Sequence, residues 1–308
     1  MAWQDYGTIF EVKDLMPWAR SHAYVPTALC LHDRIRVFVA FWDQESRGRL
    51  GYVDVDLDNP CKILGYSQTP LVEDSPSGRF DCDGITPLSI VQQEDQTFLY
   101  YAGWQRDPDP NIRYKLYIGL LIGDAHAQHF QRYSSKPVIG ARSPTEHVRT
   151  GGQIVKTEEG YHCWLATQKG SHSETGKSLP IYDLEYTRSD DGIHWSNDQQ
   201  AVFEHQKNVI LGFGRSAIWQ TEDGTFEGLF SVRNWNGIYT DMLSSRSSDG
   251  VTWEPLSHKG KAFHANDTID DQTSICFPSV VKQEKRLLMF YNGDNFGKKG
   301  LRLASWNL

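Results

Sequence analysis

Acidic side chains stand just ahead of two apolar segments of the chain, where they could transfer protons. Asp81 and Asp83 lie in the sequence FDCDG, and Glu146 lies in SPTEHVRTGG. Residues two apart share one face of an extended segment, so Asp81 and Asp83 are predicted to point into the same space. A positioned carboxyl group can act as a general acid or base, and we predict that role for these three residues. The alternatives are that Asp83 caps the turn before Gly84 and that Glu146 is a solvated loop residue.

Two arginines accompany the carboxylates in similar apolar surroundings. Arg149 follows Glu146 by three residues, and Arg215 lies in GFGRSAIW among small and apolar residues. A guanidinium in such surroundings needs a partner, and its fork of N–H groups fits a carboxylate or a phosphate. We therefore predict that both arginines bind an anionic part of a ligand. The alternatives are that Arg149 lowers the pKa of a neighbouring group and that Arg215 forms a structural ion pair.

An eight-residue pattern occurs twice and indicates a repeat. Residues Arg188–Trp195 read RSDDGIHW, and residues Arg246–Trp253, which begin 58 positions later, read RSSDGVTW. Asp-Gly closes a tight turn, because glycine tolerates positive φ and the Asp side chain bonds the following N–H groups. The tryptophan is then predicted to return on the next strand and pack over the turn.

Alignment outward from these turns gives five units of about 60 residues, each with three or four short strands and turn signals. Intervals of 61, 64, 65 and 62 residues separate the equivalent positions Pro26, Pro87, Gly151, Ser216 and Pro278. The strand pattern predicts an all-β chain. Units this small must stack on one another, which predicts a five-bladed β-propeller of four-stranded antiparallel blades. The N-terminal strand Gly7–Val12 is predicted to close the ring.

Composition excludes several classes of protein. The chain has 308 residues, 39% of them hydrophobic, and a formal net charge of −8, which argues against gripping nucleic acid or anionic membrane through bulk charge. It shows no secretory signal and no apolar run of about 20 residues. Five scattered cysteines without a CxxC pair favour neither a disulfide framework nor a zinc site. We expect one cytoplasmic domain over residues 1–308, with no cofactor and no nucleic-acid or membrane partner, and leave the oligomeric state open.

The turn motif S-x-D-G-x-x-W, together with second strands such as YYAGW and FYNGD, resembles the five-bladed β-propeller glycosidases. That group comprises the arabinanase/xylosidase and invertase/levanase-like hydrolases and the related mannoside phosphorylases. The resemblance covers nearly the whole chain at the level of architecture. It implies an axial pocket with carboxylates from the innermost strands of different blades, one acting as base or nucleophile, one as general acid and one as a modulator of pKa.

The resemblance implies that Glu146 is the general acid and that Asp81 and Asp83 hold the other carboxylate roles. The first blade departs from the family, because the stretch Ser21–Pro26 has no carboxylate where the family usually carries one. His22 is the titratable group at that place, and we predict that it binds substrate or acts as a base; the alternative is a strand cap. The departure leaves open a chemistry other than two-carboxylate hydrolysis.

Aromatic residues complete the candidate site. Trp42 and Trp104 occupy equivalent second-strand positions and are predicted to stack on a sugar ring, the alternative being packing between blades. Asp271 is a further candidate for substrate binding, although adjacent acids on a strand point to opposite sides and a loop role is the alternative. The Pro/Asp-rich loop Arg106–Arg113 is predicted to form a rim over the pocket. A metal site is another alternative, with the ligands His22, Asp83 and His147.

The expected function is therefore carbohydrate chemistry. We expect a glycoside hydrolase-like enzyme that acts on a small, phosphorylated or nucleotide-linked sugar in an axial pocket through carboxylate acid/base groups. One alternative is a sugar-transfer or sugar-modifying enzyme of polysaccharide biosynthesis. Another is a non-catalytic propeller that binds a glycan or a protein, since fold resemblance alone does not establish catalysis.

Overall fold

The computed structural model describes residues 2–13, 15–109, 112–174 and 177–308. Strands dominate these ranges, which otherwise contain one 3-10 turn at Ala265–Asp267 and one single-turn helix, α1, at Asp294–Gly297. The predicted all-β class is confirmed. Within the described ranges, no helix is long and apolar enough to cross a membrane.

The first half of the chain forms two four-stranded antiparallel sheets after an initial strand, β1 (Gln4–Phe10), that belongs elsewhere. The first sheet contains, in sequential order, β2 (Ser21–Cys30), β3 (Ile35–Trp42), β4 (Gly48–Val55) and β5 (Ile63–Tyr66). The second contains β6 (Ile85–Gln92), β7 (Gln96–Gln105), β8 (Lys115–Asp124) and β9 (Phe130–Arg132). In both sheets each strand pairs with its neighbour in sequence, as the repeat predicts.

A nine-stranded sheet follows, where two separate four-stranded sheets are predicted. Its first four strands are β10 (Arg149–Thr157), β11 (Gly160–Glu174), β12 (Lys177–Ser189) and β13 (Gln200–Phe203). The others are β14 (Ile210–Phe213), β15 (Ala217–Gln220), β16 (Phe226–Asn234), β17 (Tyr239–Ser247) and β18 (Phe263–His264). One parallel bridge, Tyr182 to Gly212, joins the two sets. Glycine permits it, because a Cβ at Gly212 would lie 2.6 Å from the Tyr182 carbonyl oxygen.

The last sheet joins the two ends of the described chain. It contains β19 (Cys276–Gln283), β20 (Arg286–Asn292) and β21 (Leu301–Asn307), and its outer strand is β1. Asp5 of β1 and Arg302 of β21 are almost fully buried and form an ion pair at 3.0 Å. Tyr291 donates a hydrogen bond to the other oxygen of Asp5 at 2.7 Å, so the buried carboxylate is satisfied on both sides.

Interruptions in pairing fall at the same point of each unit's first strand. The registers of β2, β6, β10 and β19 shift near Pro26, Pro87, Gly151 and Pro278, and the break between β14 and β15 falls near Ser216. These are the five positions that the repeat aligns. A bulge leaves one residue outside the ladder and turns its backbone groups aside. The five first strands also contact one another in cyclic order, β2 to β6, β10, β15, β19 and back to β2.

Both Asp-Gly turns form as predicted, but neither tryptophan lies in a strand, since Trp195 is outside regular structure and Trp253 makes one isolated bridge to Ser247. In the second turn, Gly250 has a φ of +76°, and the Asp249 Oδ1 atom accepts hydrogen bonds from the N–H groups of Val251 and Thr252 at 2.8 and 2.7 Å. The Trp253 indole packs over the turn and donates to the Gly250 carbonyl oxygen at 2.9 Å. A buried tryptophan of the preceding unit, Trp164, donates to the same oxygen at 2.6 Å, so the turn also ties neighbouring units together.

We expect replacement of Asp249 by alanine to lower the free energy of unfolding by about 1–2 kcal/mol, because two turn N–H groups lose their acceptor. Chemical denaturation followed by tryptophan fluorescence measures the change. Asp190→Ala is the matched control, since the Asp190 side chain is exposed and bonds to no described residue. Equal stability of the two variants would contradict the importance assigned to the turn.

Candidate functional site

A cavity of about 440 Å³ opens where the five first strands meet, and we call it the central cavity. Every unit contributes to its lining, through Val25, Leu88, Gly151, Phe213 and Phe277 of the first strands or their flanks. Two of these residues, Val25 and Phe277, have positive φ angles of +49° and +57°. Strained backbone at non-glycine residues occurs mostly where the surrounding structure enforces it, and often at functional sites.

Arg215 lies between β14 and β15 and lines the central cavity. Its Nε atom donates to the Leu88 carbonyl oxygen at 2.9 Å, and Nη1 donates to the carbonyl oxygens of Pro26, at 2.9 Å, and Pro278. These acceptors lie at the bulges of β6, β2 and β19, so one side chain satisfies backbone groups of three other units. Burial lowers the pKa of Arg215 to about 9, and the guanidinium stays charged at neutral pH.

This arrangement alters the interpretation of Arg215. Its partners are carbonyl oxygens rather than the carboxylate of a structural ion pair, and Nη2 has no hydrogen-bond partner among the described residues. The residue also lines the central cavity. Arg215 therefore holds the strands together, while the predicted binding of a ligand anion stays a prediction.

Tryptophans form two walls of the central cavity, as their equivalent positions predict. The Trp42 ring is backed by His22, whose imidazole stacks on it with ring centroids 3.9 Å apart, and Tyr24 packs edge-on at 5.9 Å. The Trp104 indole donates to the Thr86 hydroxyl at 2.9 Å. Both rings line the cavity. Packing between units, the alternative role for these tryptophans, is therefore compatible with contact to a ligand in the cavity.

A group of tyrosines around Arg233 is the part of the site that sequence reasoning missed. Tyr24, Tyr114, Tyr182 and Tyr239 all line the central cavity, and the hydroxyl oxygens of Tyr114 and Tyr182 are 3.5 Å apart. The Arg233 guanidinium lies over the Tyr239 ring, 5.9 Å from its centroid. Burial raises the pKa of Tyr239 to about 12, against the opposing effect of Arg233, so its hydroxyl is a hydrogen-bond donor at neutral pH. Tyr239 begins β17, Tyr114 directly precedes β8 and Tyr182 lies within β12, so three of the tyrosines belong to or adjoin the third strand of their units, which was the available signal.

Asp83 is the carboxylate that reaches the central cavity. Its Oδ2 atom accepts a hydrogen bond from the Arg106 backbone N–H at 2.8 Å. Asp81 does not line the cavity; its buried carboxylate pairs with Arg132 at 2.7 Å and accepts from the Tyr101 hydroxyl at 3.0 Å. The expectation that the two acids share a face is wrong, because the segment from Asp81 to Asp83 is a turn rather than a strand.

Glu146 and Arg149 also lie outside the lining of the central cavity. The Glu146 carboxylate folds back onto Arg142, accepting from its backbone N–H at 2.7 Å and its Nε at 3.0 Å. Arg149 is buried and donates to the Gly140 carbonyl oxygen at 2.5 Å, while its Nε lies 3.8 Å from Glu146. Burial lowers the pKa of Arg149, with Glu146 opposing the shift. The pair is thus close together, as the three-residue spacing suggests, but it faces a loop.

His22 and Asp271 complete the set of predicted residues, and neither lines the central cavity. His22 lies behind Trp42 with a φ of +61°, and the Ser21 hydroxyl is 2.8 Å from its Nδ1. Burial lowers the pKa of His22 to about 4, so the imidazole is neutral at neutral pH and positions Trp42. Asp271 lies in a separate cleft. Among the described residues, His22, Asp83 and His147 do not form a group that could hold a metal ion.

The charge of the central cavity is strongly positive. In the part of the chain that the structure describes, its lining contains one carboxylate, Asp83, and four arginines: Arg106, Arg113, Arg215 and Arg233. Arg106 and Arg113 border the predicted rim loop, whose residues 110 and 111 lie outside the described residues. Such a lining attracts an anion, and it lacks the second carboxylate that acid/base cleavage between two carboxyl groups requires.

Comparisons with known proteins agree with this fold and leave the activity open. No protein-family model matches the chain. Two relatives, uncharacterized proteins MT1551 and Rv1502 of Mycobacterium tuberculosis strains CDC 1551 and H37Rv, are each 28% identical over 305 residues, which is 99% of both chains.

Solved structures share the fold at low sequence identity. A glycoside hydrolase matches with a TM-score of 0.70 at 14% identity, covering 98% of this chain and 90% of its own. An endo-arabinase from Bacteroides thetaiotaomicron matches with a TM-score of 0.64 at 12% identity, covering 94% of this chain and 98% of its own. A structure from the GH130 family of mannoside phosphorylases matches with a TM-score of 0.67 at 12% identity, covering 94% of this chain and 85% of its own. The predicted resemblance to glycosidase-type propellers is confirmed at the level of fold.

We expect Arg215→Met to lower the free energy of unfolding by about 3 kcal/mol or more, because buried carbonyl oxygens of three units lose their donor. Urea denaturation measures the loss. Arg188→Met is the matched control, since Arg188 is exposed. A loss no larger than that of the control would show that these carbonyl contacts do not stabilise the fold.

We expect His22 to make stability fall in mild acid. Its pKa is about 4 in the folded chain and about 6.5 when unfolded, so the unfolded state binds more protons between these values. The contribution is fully present above pH 6.5 and declines as pH falls toward 4, by up to about 2 kcal/mol at pH 5. Urea denaturation at pH 7.5 and 5.0 measures this decline for the native chain, His22→Gln and the exposed-site control His126→Gln. Only His22→Gln should reduce the loss of stability between pH 7.5 and pH 5.0. An unchanged loss in that variant would show that His22 is not its source.

Proposed function

We propose that the chain is a carbohydrate-active protein whose central cavity binds a small anionic sugar, such as a sugar phosphate or a nucleotide-linked sugar. The observation that carries this proposal is the lining itself, which pairs tryptophan walls with four arginines and a single carboxylate among the described residues. Tryptophan rings stack on the apolar faces of sugar rings, and guanidinium groups bind phosphate through paired N–H donors.

The proposal includes a five-bladed propeller architecture in one domain. The nine-stranded sheet divides into two blades if the single bridge from Tyr182 to Gly212 is set aside, since β10–β13 and β14–β18 then each form one repeat unit. The pairing of β1 with β21 supports closure of the ring by the N-terminal strand. In this architecture the central cavity lies on the propeller axis, and its walls come from every blade.

Within this site, Asp83 is the proposed proton-transfer group. It lies in the cavity lining near Trp104 and Arg106, where a sugar stacked on the indole would bring its hydroxyl or glycosidic oxygen to the carboxylate. Tyr24 and Tyr239 offer further hydroxyl groups to polar atoms of the sugar. With one carboxylate in the described lining, transfer or modification of an activated sugar fits the site better than hydrolysis between two carboxyl groups.

A non-catalytic binding function is the second candidate. It is favoured by the same scarcity of carboxylates in the described lining, because sugar binding through tryptophans and arginines requires no proton-transfer group. The two candidates share a ligand and differ in the role of Asp83.

We expect isothermal titration calorimetry to show binding of hexose 1-phosphates or nucleoside diphosphate hexoses, and weaker binding of the matching uncharged methyl glycosides. Trp104→Ala and Arg113→Gln should each weaken binding of the charged ligand about tenfold, a loss of about 1.4 kcal/mol, and added salt should weaken it further. Arg188→Gln, at an exposed position near the end of β12, is the control. Preference for the uncharged glycosides would refute the anionic ligand.

Asp83→Asn separates the two candidates once a ligand is found. If the protein is an enzyme, this variant should bind the ligand within a few fold of the native chain and lose at least about a hundredfold in turnover, the lower range of general acid–base effects. Turnover equal to that of the native chain would exclude Asp83 as the proton-transfer group.

A further inference from the structure

Among the described residues, three histidines each form a short hydrogen bond with an aspartate. The Nδ1 atoms of His194, His205 and His264 lie 2.6, 2.7 and 2.6 Å from carboxylate oxygens of Asp191, Asp183 and Asp241, respectively. A carboxylate at one ring nitrogen fixes the orientation of an imidazole, whether the purpose is structural or to direct the ring at a ligand. Within the described ranges, neither of the first two pairs belongs to a larger group of His, Cys, Asp or Glu residues. In each of them the aspartate also accepts a hydrogen bond from the backbone N–H of its histidine, which explains these pairs as local backbone structure.

The third pair differs because a second histidine joins it. The exposed His258 stacks on His264 with ring centroids 5.3 Å apart and planes 18° apart. Asp241, His258 and His264 each place one side-chain oxygen or nitrogen within 4.8 Å of such an atom of the other two. In the described ranges, no other three His, Cys, Asp or Glu residues come this close together. Because the His258 side chain is exposed, packing between units does not explain why it lies beside Asp241 and His264.

The fold brings the three residues together from distant parts of the sequence. Asp241 of β17 and His264 of β18 are direct partners across the two strands, so the ladder fixes their separation. The turn after His264 is fixed as well, because the His264 backbone N–H donates to Asp267 at 2.8 Å. His258 comes from the loop ahead of β18, and its exposed side chain is free to adjust. Two rigid ligands and one adjustable ligand suit capture of an ion.

A cleft beside the pair provides access for an ion and room for a further ligand. It has a volume of about 350 Å³, and its lining includes Asp241, His264, Asp271, Gln272 and Thr273, whereas His258 lies outside this lining. Asp271, the sequence candidate that does not reach the central cavity, therefore faces this cleft. An open coordination position that faces a cleft is filled by water or by a ligand atom.

We propose that Asp241, His258 and His264 bind a divalent transition-metal ion of the zinc type at this cleft. Two imidazole nitrogens and a carboxylate oxygen suit zinc, whereas calcium and magnesium favour all-oxygen sites. Bonds of about 2.0–2.2 Å place tetrahedral ligands about 3.3 Å apart. The Asp241 oxygen and the His264 Nδ1 atom, now 2.6 Å apart in a hydrogen bond, must therefore separate slightly and release their shared proton when the ion binds. The site is distinct from the central cavity and does not depend on the proposed sugar chemistry.

Zinc titration of the untagged full chain, after treatment with EDTA, tests the proposal. Cys30 and Cys61 are exposed thiols that could bind zinc themselves, so the titration uses a Cys30→Ser/Cys61→Ser background. We expect one zinc ion to bind with a micromolar or lower Kd and to raise the melting temperature. His258→Ala should weaken binding at least tenfold, and His264→Ala should abolish it.

His194→Ala is the matched control, because it removes an aspartate-held histidine that has no second histidine beside it, and it should bind zinc like the background chain. His258→Ala keeps the test valid if His264→Ala fails to fold, since His258 is exposed. The proposal is overturned if no saturable binding occurs up to 1 mM zinc, or if His258→Ala binds as well as His194→Ala does.

Discussion

The buried guanidinium of Arg215 is the interaction on which the centre of the molecule depends. Bulges at equivalent points of the first strands remove backbone groups from their ladders and turn carbonyl oxygens toward the middle. Unsatisfied carbonyls in a buried position are costly, and Arg215 supplies donors to those of Pro26, Leu88 and Pro278. Without this donor, the three carbonyl oxygens at the bulges would need hydrogen bonds from water or from another side chain.

The lining of the central cavity differs from the lining that the fold resemblance implies. The architecture is that of glycoside hydrolase structures, yet the described lining presents an arginine-rich surface with Asp83 as its carboxylate. The acids expected to serve catalysis are used elsewhere: Asp81 neutralises Arg132, and Glu146 holds Arg142.

The sequence sufficed for the strands and turns because both are local. Alternation and Asp-Gly turns are encoded within about ten residues, and the repeat then multiplies the signal. The site required longer-range information. Asp81 was misplaced because a two-residue spacing implies a shared face only if the segment is extended, and the turn reverses that relation. The tyrosines around Arg233 come from four units, and His258 meets Asp241 only through the pairing of β17 with β18, which no local pattern encodes.

The pairing of β1 with β21 has a consequence for the order in which the protein forms. Gln4 and Ser305 are register partners, so this sheet unites residues about three hundred positions apart. During synthesis, the first sheet (β2–β5) can form while β1 is still unpaired, because the ribosome has not yet made β21. Non-local pairing of this kind is slow because a long loop must close. During synthesis the last sheet, and with it the ion pair of Asp5 with Arg302, can therefore be completed only after β19–β21 have been made.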